Sequence, residues 1–209
     1  SVAAPSDLQA DFLAAKTPYP LPQIYPLPHA TLVENADRKV TVSGDAARIT
    51  FCGTIARHKG WDEFEQAAED LRNDDRFVFS YLGLSDTPRF LESTRVKTDQ
   101  TTPDAMIEAV AALSCDMVVL WAHWPETFSF VAHEAIAGGA YLVTNDRSGA
   151  AAALVEKTGR GVVLPFKTDL GAWLTGEDAS RLVAQRRASL SGFDLLRSDL
   201  SPGVLEGRA

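Results

Sequence analysis

CDMVVLWAHWPETFSFVAHEAIAGGAYLVTN occupies residues 115–145, and its punctuation decides the fold. CDMVVLW (115–121) and AYLVTN (140–145) are continuous apolar runs of strand length, not alternating ones. Between them lies a stretch with Val131, Ala135 and Ile136 at helical spacing, ended by Gly138-Gly139. A strand apolar on both faces needs cover on both faces, and a strand–helix–strand unit supplies it in a parallel sheet.

The same alternation runs through most of the chain. RITFCG (48–53) reads as a strand, and WDEFEQAAEDLRND (61–74) as a helix with Phe64, Ala67, Ala68 and Leu71 on one face. RFVFSYLGL (76–84) and TRVKT (94–98) are further strands; PDAMIEAVAALS (103–114) opens a helix with proline at its start. GAAAALVE (149–156) is a short helix, GRGVVLP (159–165) a strand, and residues 169–190 one or two helices. The fold class is α/β, a doubly wound parallel Rossmann-like sheet. Ligands of such sheets bind beyond the carboxyl ends of the strands, so the loops after residues 53, 84, 98, 123 and 145 are the places to search.

The chain has 209 residues, 45% hydrophobic and 23% charged, with a formal charge of −8. That is the balance of a globular protein, and the acidic excess argues against a nucleic-acid surface. The apolar run MVVLWA is far too short to span a bilayer. Cys52 and Cys115 follow no metal-ligand spacing and sit in apolar segments, as buried free thiols in a reducing compartment do. His58, His123 and His133 form no metal pair with a clear third ligand, so no metal and no cofactor are expected.

Two segments carry candidate chemistry. In FCGTIARHKGWDEF a glycine ends a strand and Lys59-Gly60 leads into a helix, where a lysine could reach a phosphate. Neither a dinucleotide fingerprint nor a Walker spacing is present, and an ordinary solvated turn would look the same. In WPETFSFVAHEAIAGG (124–139), Glu126 precedes a helix expected to start near Phe128, and Glu134 lies two turns inside it. The backbone N–H groups of Thr127, Phe128, Ser129 and Phe130 then lack helical partners and face a site suited to a diphosphate. Glu126 would accept from sugar hydroxyls beyond the phosphates. Glu134, among apolar neighbours, would be costly unless paired or bonded to a ligand such as a ribose diol.

Taken together, Gly53 to Lys59-Gly60, the aspartate-led strand Asp116-Met-Val-Val-Leu and Glu126-x7-Glu134-Ala-Ile-Ala-Gly-Gly resemble the nucleotide-binding C-terminal half of retaining GT-B glycosyltransferases of the group 1, family 4 type. The likeness covers roughly residues 2–165, and VAAPSDLQADFL with IYPLPHA resembles the end of that family's N-terminal domain and its crossover. The resemblance implies a nucleotide-sugar donor whose sugar, of hexosyl type, passes to an acceptor hydroxyl in polysaccharide or glycoconjugate synthesis. Lys59 and Glu126 would be catalytic, Lys59 at the diphosphate and Glu126 at the donor sugar. Gly53, Thr54, Thr127, Phe128, Ser129, Phe130 and Glu134 would bind the donor, with Glu134 at the ribose and the base against Val96 and Lys97.

The family's arginine after the first glycine is Thr54 here, with Arg57 or Arg95 as conceivable substitutes. A catalytically degenerate nucleotide-sugar-binding or scaffold module is the alternative. Residues 1–35 are expected to be a remnant of the N-terminal domain and linker, 36–190 the Rossmann-like domain, and 191–209 a C-terminal tail. The acceptor glycan or glycolipid would then be held by the missing N-terminal half, and the isolated fragment would be inactive. The expected location is cytoplasmic, or peripheral at the inner membrane face for the full-length protein.

Overall fold

The computed structural model describes residues 2–18 and 24–198. A strand–helix–strand unit comes first: β1 (Val2–Ala4), α1 (Asp7–Lys16) and β2 (Ile24–Pro26), with β1 and β2 parallel. Part of the proline-rich stretch expected as extended linker, residues 19–23, lies outside the described residues. β3 (Ala30–Asn35) then leads into the main domain.

That domain comprises β4 (Ala47–Cys52), α2 (Trp61–Asp70), β5 (Phe77–Gly83), β6 (Glu92–Arg95), α3 (Ala105–Ala112), β7 (Met117–Leu120), α4 (Phe130–Ala137), β8 (Tyr141–Asn145), α5 (Ala150–Thr158), β9 (Gly161–Leu164), α6 (Leu170–Leu174) and α7 (Glu177–Arg187). Its six strands are all parallel, in the order β6-β5-β4-β7-β8-β9. The chain therefore winds outward from β4 to one edge, returns to β7 beside β4, and winds to the other edge. The order reverses between β4 and β7, and a crevice opens at their carboxyl ends.

The sheet is covered on both faces, as continuous apolar strands require. On one face Ile49 and Phe51 of β4 pack with Trp61 and Phe64 of α2, and with Leu170 and Leu174 of α6. On the other, Cys52, Leu82 and Val118 pack with Met106 and Val110 of α3 and Ile136 of α4. Cys52 and Cys115 are buried free thiols, and burial pushes both above the usual thiol range.

Two boundaries differ from the sequence expectation. β6 ends at Arg95, and Val96 turns inward, donating its N–H to the Gly83 carbonyl. Residues 192–197, expected within a C-terminal tail, form β10 (Gly192–Arg197) antiparallel to β3. The reason lies in packing: Phe193 and Leu32 close over the face of the core that holds α4. A short GFDLLR segment does not announce a strand until its partner β3 is known.

At the opposite, amino ends of β4 and β7, an ionic cluster clamps the switch point. Asp116 accepts from Arg187 Nη2 at 2.7 Å, from Arg186 Nη1 at 3.3 Å and from the Arg48 N–H at 3.0 Å. Arg186 is fully buried and also donates to the Gly139 carbonyl, just beyond α4. The short basic cluster in the last turn of α7 is thus a structural clamp.

Candidate functional site

The structure brings five of the eleven sequence-predicted site residues into one cavity at the carboxyl ends of the strands; Lys59, Lys97, Glu126, Thr127, Phe128 and Ser129 are not among its walls. Gly53, Thr54, Val96, Phe130 and Glu134 line one cavity of about 680 Å³, with Gly83, Asp99, Met106 and Arg197 among its other walls. That volume is in the range of ordinary small-molecule sites. A larger cavity of about 890 Å³ lies at the amino ends of β4, β5 and β7, lined by Asp45, Asp74 and Phe77, and takes in none of the predicted residues.

α4 starts at Phe130 rather than near Phe128. Ser129 is extended (φ −128°, ψ 102°), and its Oγ accepts from the Ala132 N–H at 3.4 Å, so it takes the N-cap position. Among the described residues, the N–H groups of Ser129, Phe130 and Val131 have no protein acceptor. The open helix mouth survives, shifted by about half a turn. Phe130 is exposed at the cavity rim. Phe128 instead stacks on His133 at 4.5 Å and lines a separate cavity of about 350 Å³. Thr127 accepts the Ser6 hydroxyl through its carbonyl, which ties the N-terminal unit to this loop.

Lys59 and Glu126 meet as an ion pair, the glutamate largely buried and the lysine more open. Two glycines set the approach. Gly60 has φ +84°, and a Cβ there would lie 2.3 Å from Trp121 Cβ and 2.4 Å from its carbonyl oxygen, so the Lys59 loop rests directly on the chain that leads to Glu126. Gly149 has φ +59°, and its Cβ would meet the Glu126 backbone N and O at 2.7 Å. That contact allows a β-bridge between Glu126 and Gly149, with the Ala150 N–H donating to the Glu126 carbonyl at 2.9 Å. Gly149→Ala should therefore cost about 2 kcal/mol or more through backbone strain and overlap. A melting temperature within about 1 °C of the parent would contradict this anchoring.

Glu134 is only 5% exposed. Burial pushes its carboxyl up to about 7; Arg197 opposes that shift and Asp104 adds to it. Arg197 Nη2 lies 3.7 Å from Glu134 Oε1. Lys97 is not a cavity wall: its ammonium pairs with Asp99 at 3.1 Å, and its carbonyl accepts from the Thr102 hydroxyl. Arg57 is 84% exposed and pairs with Asp62, and Arg95 lies on an exposed edge strand, so neither lines the cavity.

The histidines are engaged with neighbours. His58 stacks on Trp124 at 4.2 Å, His123 Nε2 is 2.8 Å from Glu63, and His133 Nδ1 is 2.7 Å from the Ser129 carbonyl. Burial lowers the His133 pKa. His29 faces both Phe128 and Phe130. Among the described residues no group of three or more His, Cys, Asp or Glu is placed to hold a metal ion, and no helix is long and apolar enough to cross a membrane. Sequence reasoning missed Gly149 and Arg197. A glycine opening a helix is a visible signal; an arginine at the end of an unrecognised strand is not.

No family model and no curated protein sequence matches the chain. Solved structures do. A glycosyltransferase from Rickettsia africae ESF-5 superposes with a TM-score of 0.59 at 16% identity, over 91% of this chain and 58% of that one. The GtfA/B complex gives 0.56 at 12% identity, over 88% of this chain and 41% of that one. The pneumococcal O-GlcNAc transferase GtfA in complex with UDP and GlcNAc gives 0.54 at 14% identity, over 90% and 37%. This chain thus spans from 37% to 58% of the length of these three structures. With six parallel strands in the β6-β5-β4-β7-β8-β9 order, the chain has the fold of the Rossmann-like C-terminal half of a GT-B glycosyltransferase.

Proposed function

We propose that this chain is the donor-binding half of a glycosyltransferase that takes a nucleotide-activated sugar. The observation that carries the proposal is Glu134: a buried acid in the wall of the switch-point cavity, only partly offset by Arg197 at 3.7 Å, one turn inside a helix whose first N–H groups are open. Such an acid is costly to keep without a ligand to satisfy it. A ribose offers two adjacent hydroxyl donors to one carboxylate. The pyrophosphate next to it would take the N–H groups of Ser129, Phe130 and Val131 at the positive end of the α4 dipole.

Lys59 and Glu126 complete the proposal. In the free protein they neutralise each other. A sugar diphosphate satisfies both at once, since its phosphate takes the lysine and its hydroxyls donate to the glutamate. As the glycosidic bond breaks, the leaving diphosphate gathers negative charge. Lys59 and the amides then stabilise the transition state more than the ground state, which is what accelerates transfer. The transferred group would be a hexosyl unit and the acceptor a glycan or glycolipid hydroxyl, held by residues outside this chain. The neighbour complexed with UDP and GlcNAc supports a donor of this kind.

Thr54 favours a second reading, a binding or scaffold module that holds the donor without transferring it, because it lines the cavity and brings no charge. Calorimetric titration with UDP, GDP, ADP and their sugars tests the site. One nucleotide should bind, and Glu134→Ala should weaken it at least about tenfold, the value of a charged hydrogen bond. Affinity untouched by the substitution would sink the assignment. Transfer by the longer parent protein, against binding without turnover, separates the two readings.

A further inference from the structure

The cavity has a wall that neither the resemblance nor the strand–helix alternation foresees. Arg197, at the end of β10, donates to the Asp104 carboxylate and the Pro103 carbonyl at the mouth of α3, and its Nη2 lies 3.7 Å from Glu134. It is the one cation among the residues that line the cavity, whose two carboxylates are Glu134 and Asp99. The geometry points to Arg197 as a positioning residue that keeps Glu134 charged and aimed for a nucleotide's ribose, making the C-terminal strand part of the nucleoside-binding site. This rests on the donor-binding proposal above.

Three features support it. First, β10 is held independently of Arg197: its whole length pairs with β3, and Asp194 is fixed by Arg38 and Asn35. The strand can therefore present Arg197 without being organised by it. Second, Pro103 and Asp104 hold the guanidinium from behind and leave one edge toward Glu134. A planar, permanently charged group fixed in this way lends charge without occupying both carboxylate oxygens. Third, among the described residues no other cation faces Glu134 from the elements packed on α4. Asp104 opposes its ionisation from α3, and Cys52 at the end of β4 is a buried thiol. On β3, Glu34 bonds Ser191, and on α5 the charge of Lys157 acts on His133. Arg197 is the only group placed to offset the burial of Glu134, among the described residues.

A carboxylate accepts from both hydroxyls of a ribose diol through two charged oxygens, whereas a carboxylic acid offers one neutral acceptor and a competing donor, so nucleotide affinity should follow the charged fraction of Glu134. Removing one opposite charge raises a carboxyl pKa by about one unit. Arg197→Ala should then weaken the best-binding nucleotide among UDP, GDP and ADP roughly fivefold at pH 7, where the charged fraction falls from about a half to about a tenth, and by less than about 1.5-fold at pH 9. Arg197→Lys should recover part of the loss at pH 7, and the Glu134→Gln background should show no pH-dependent effect of Arg197→Ala.

The ionisation itself is read without ligand, by following the Glu134 carboxyl carbon in 13C-glutamate-labelled protein. Its midpoint should rise in Arg197→Ala. An unchanged midpoint overturns the inference even if nucleotide binds. A loss of affinity equal at all pH values makes Arg197 a packing residue and also overturns it, as does a gain in affinity, which would make Arg197 an obstruction. A raised midpoint in a protein that binds no nucleotide retains the hold of Arg197 over Glu134 and rejects the donor-binding proposal.

Discussion

Asp116→Ala should destabilise the protein by about 3–5 kcal/mol, the range found when one partner of a buried ion pair is removed. Asp116 pairs with Arg186 and Arg187 at once, and Arg186 is fully buried with one guanidinium nitrogen already unpaired. Without the aspartate, that charge stays in the interior with the Gly139 carbonyl as its one remaining described partner. For a chain of this size each kcal/mol moves the melting temperature by roughly 2–4 °C, so a fall of about 10 °C is expected in a thermal melt. Arg181→Ala is the control. Arg181 also makes two ion pairs, with Glu177 and Asp178, but in water, and its loss should stay within about 1 kcal/mol. Equal, small effects from both variants would show that the Asp116 cluster is no clamp. Asp116→Ala with Arg186→Met should regain part of the loss, because the stranded charge goes with the arginine.

The clamp matters to the site although it lies at the other end of the sheet. Arg187 donates to the carbonyls of Asp45 and Ala46 just before β4, while Asp116 precedes β7 and Arg186 holds the turn after α4. The two strands whose carboxyl ends form the crevice, and the helix that carries Glu134, are thus fixed together from behind.

The sheet was legible in the sequence because buried parallel strands need apolar residues on both faces, and CDMVVLW or RITFCG show that without reference to any other part of the chain. The Glu126–Glu134 spacing was legible for a similar local reason, since both acids belong to one loop–helix unit. Arg197 and Asp116 belong to the other kind of feature. Their roles depend on partners far along the chain, Asp104 and Glu134 for one and Arg186 and Arg187 for the other, and no local periodicity records such pairings. The start of α4 was misplaced because Thr127, Ser129 and Phe130 fit either side of a helix boundary. Only the Ser129 backbone and its bond to Ala132 decide it.

Glu134→Gln should make the ligand-free protein more stable at pH 8 and leave it unchanged near pH 4. In the unfolded chain this carboxyl ionises near its ordinary value of 4.5, whereas burial, offset in part by Arg197, holds it at about 7 in the folded protein. Below about pH 4.5 both states carry the proton and the acid costs nothing. Between about 4.5 and 7 the unfolded chain binds fewer protons than the folded one, so stability falls as pH rises. Above 7 the penalty is complete, with an upper bound of about 3 kcal/mol. Glutamine is never charged and escapes it. The variant should melt above the parent at pH 8, by up to about 10 °C, with the two curves converging at pH 4. A difference that is the same at both pH values would mean that Glu134 is neutralised in some other way. The same variant should lose nucleotide affinity, because an amide presents its donor where the ribose hydroxyls need an acceptor. A substitution that strengthens the fold and weakens the ligand is what separates an acid kept for binding from one kept for structure.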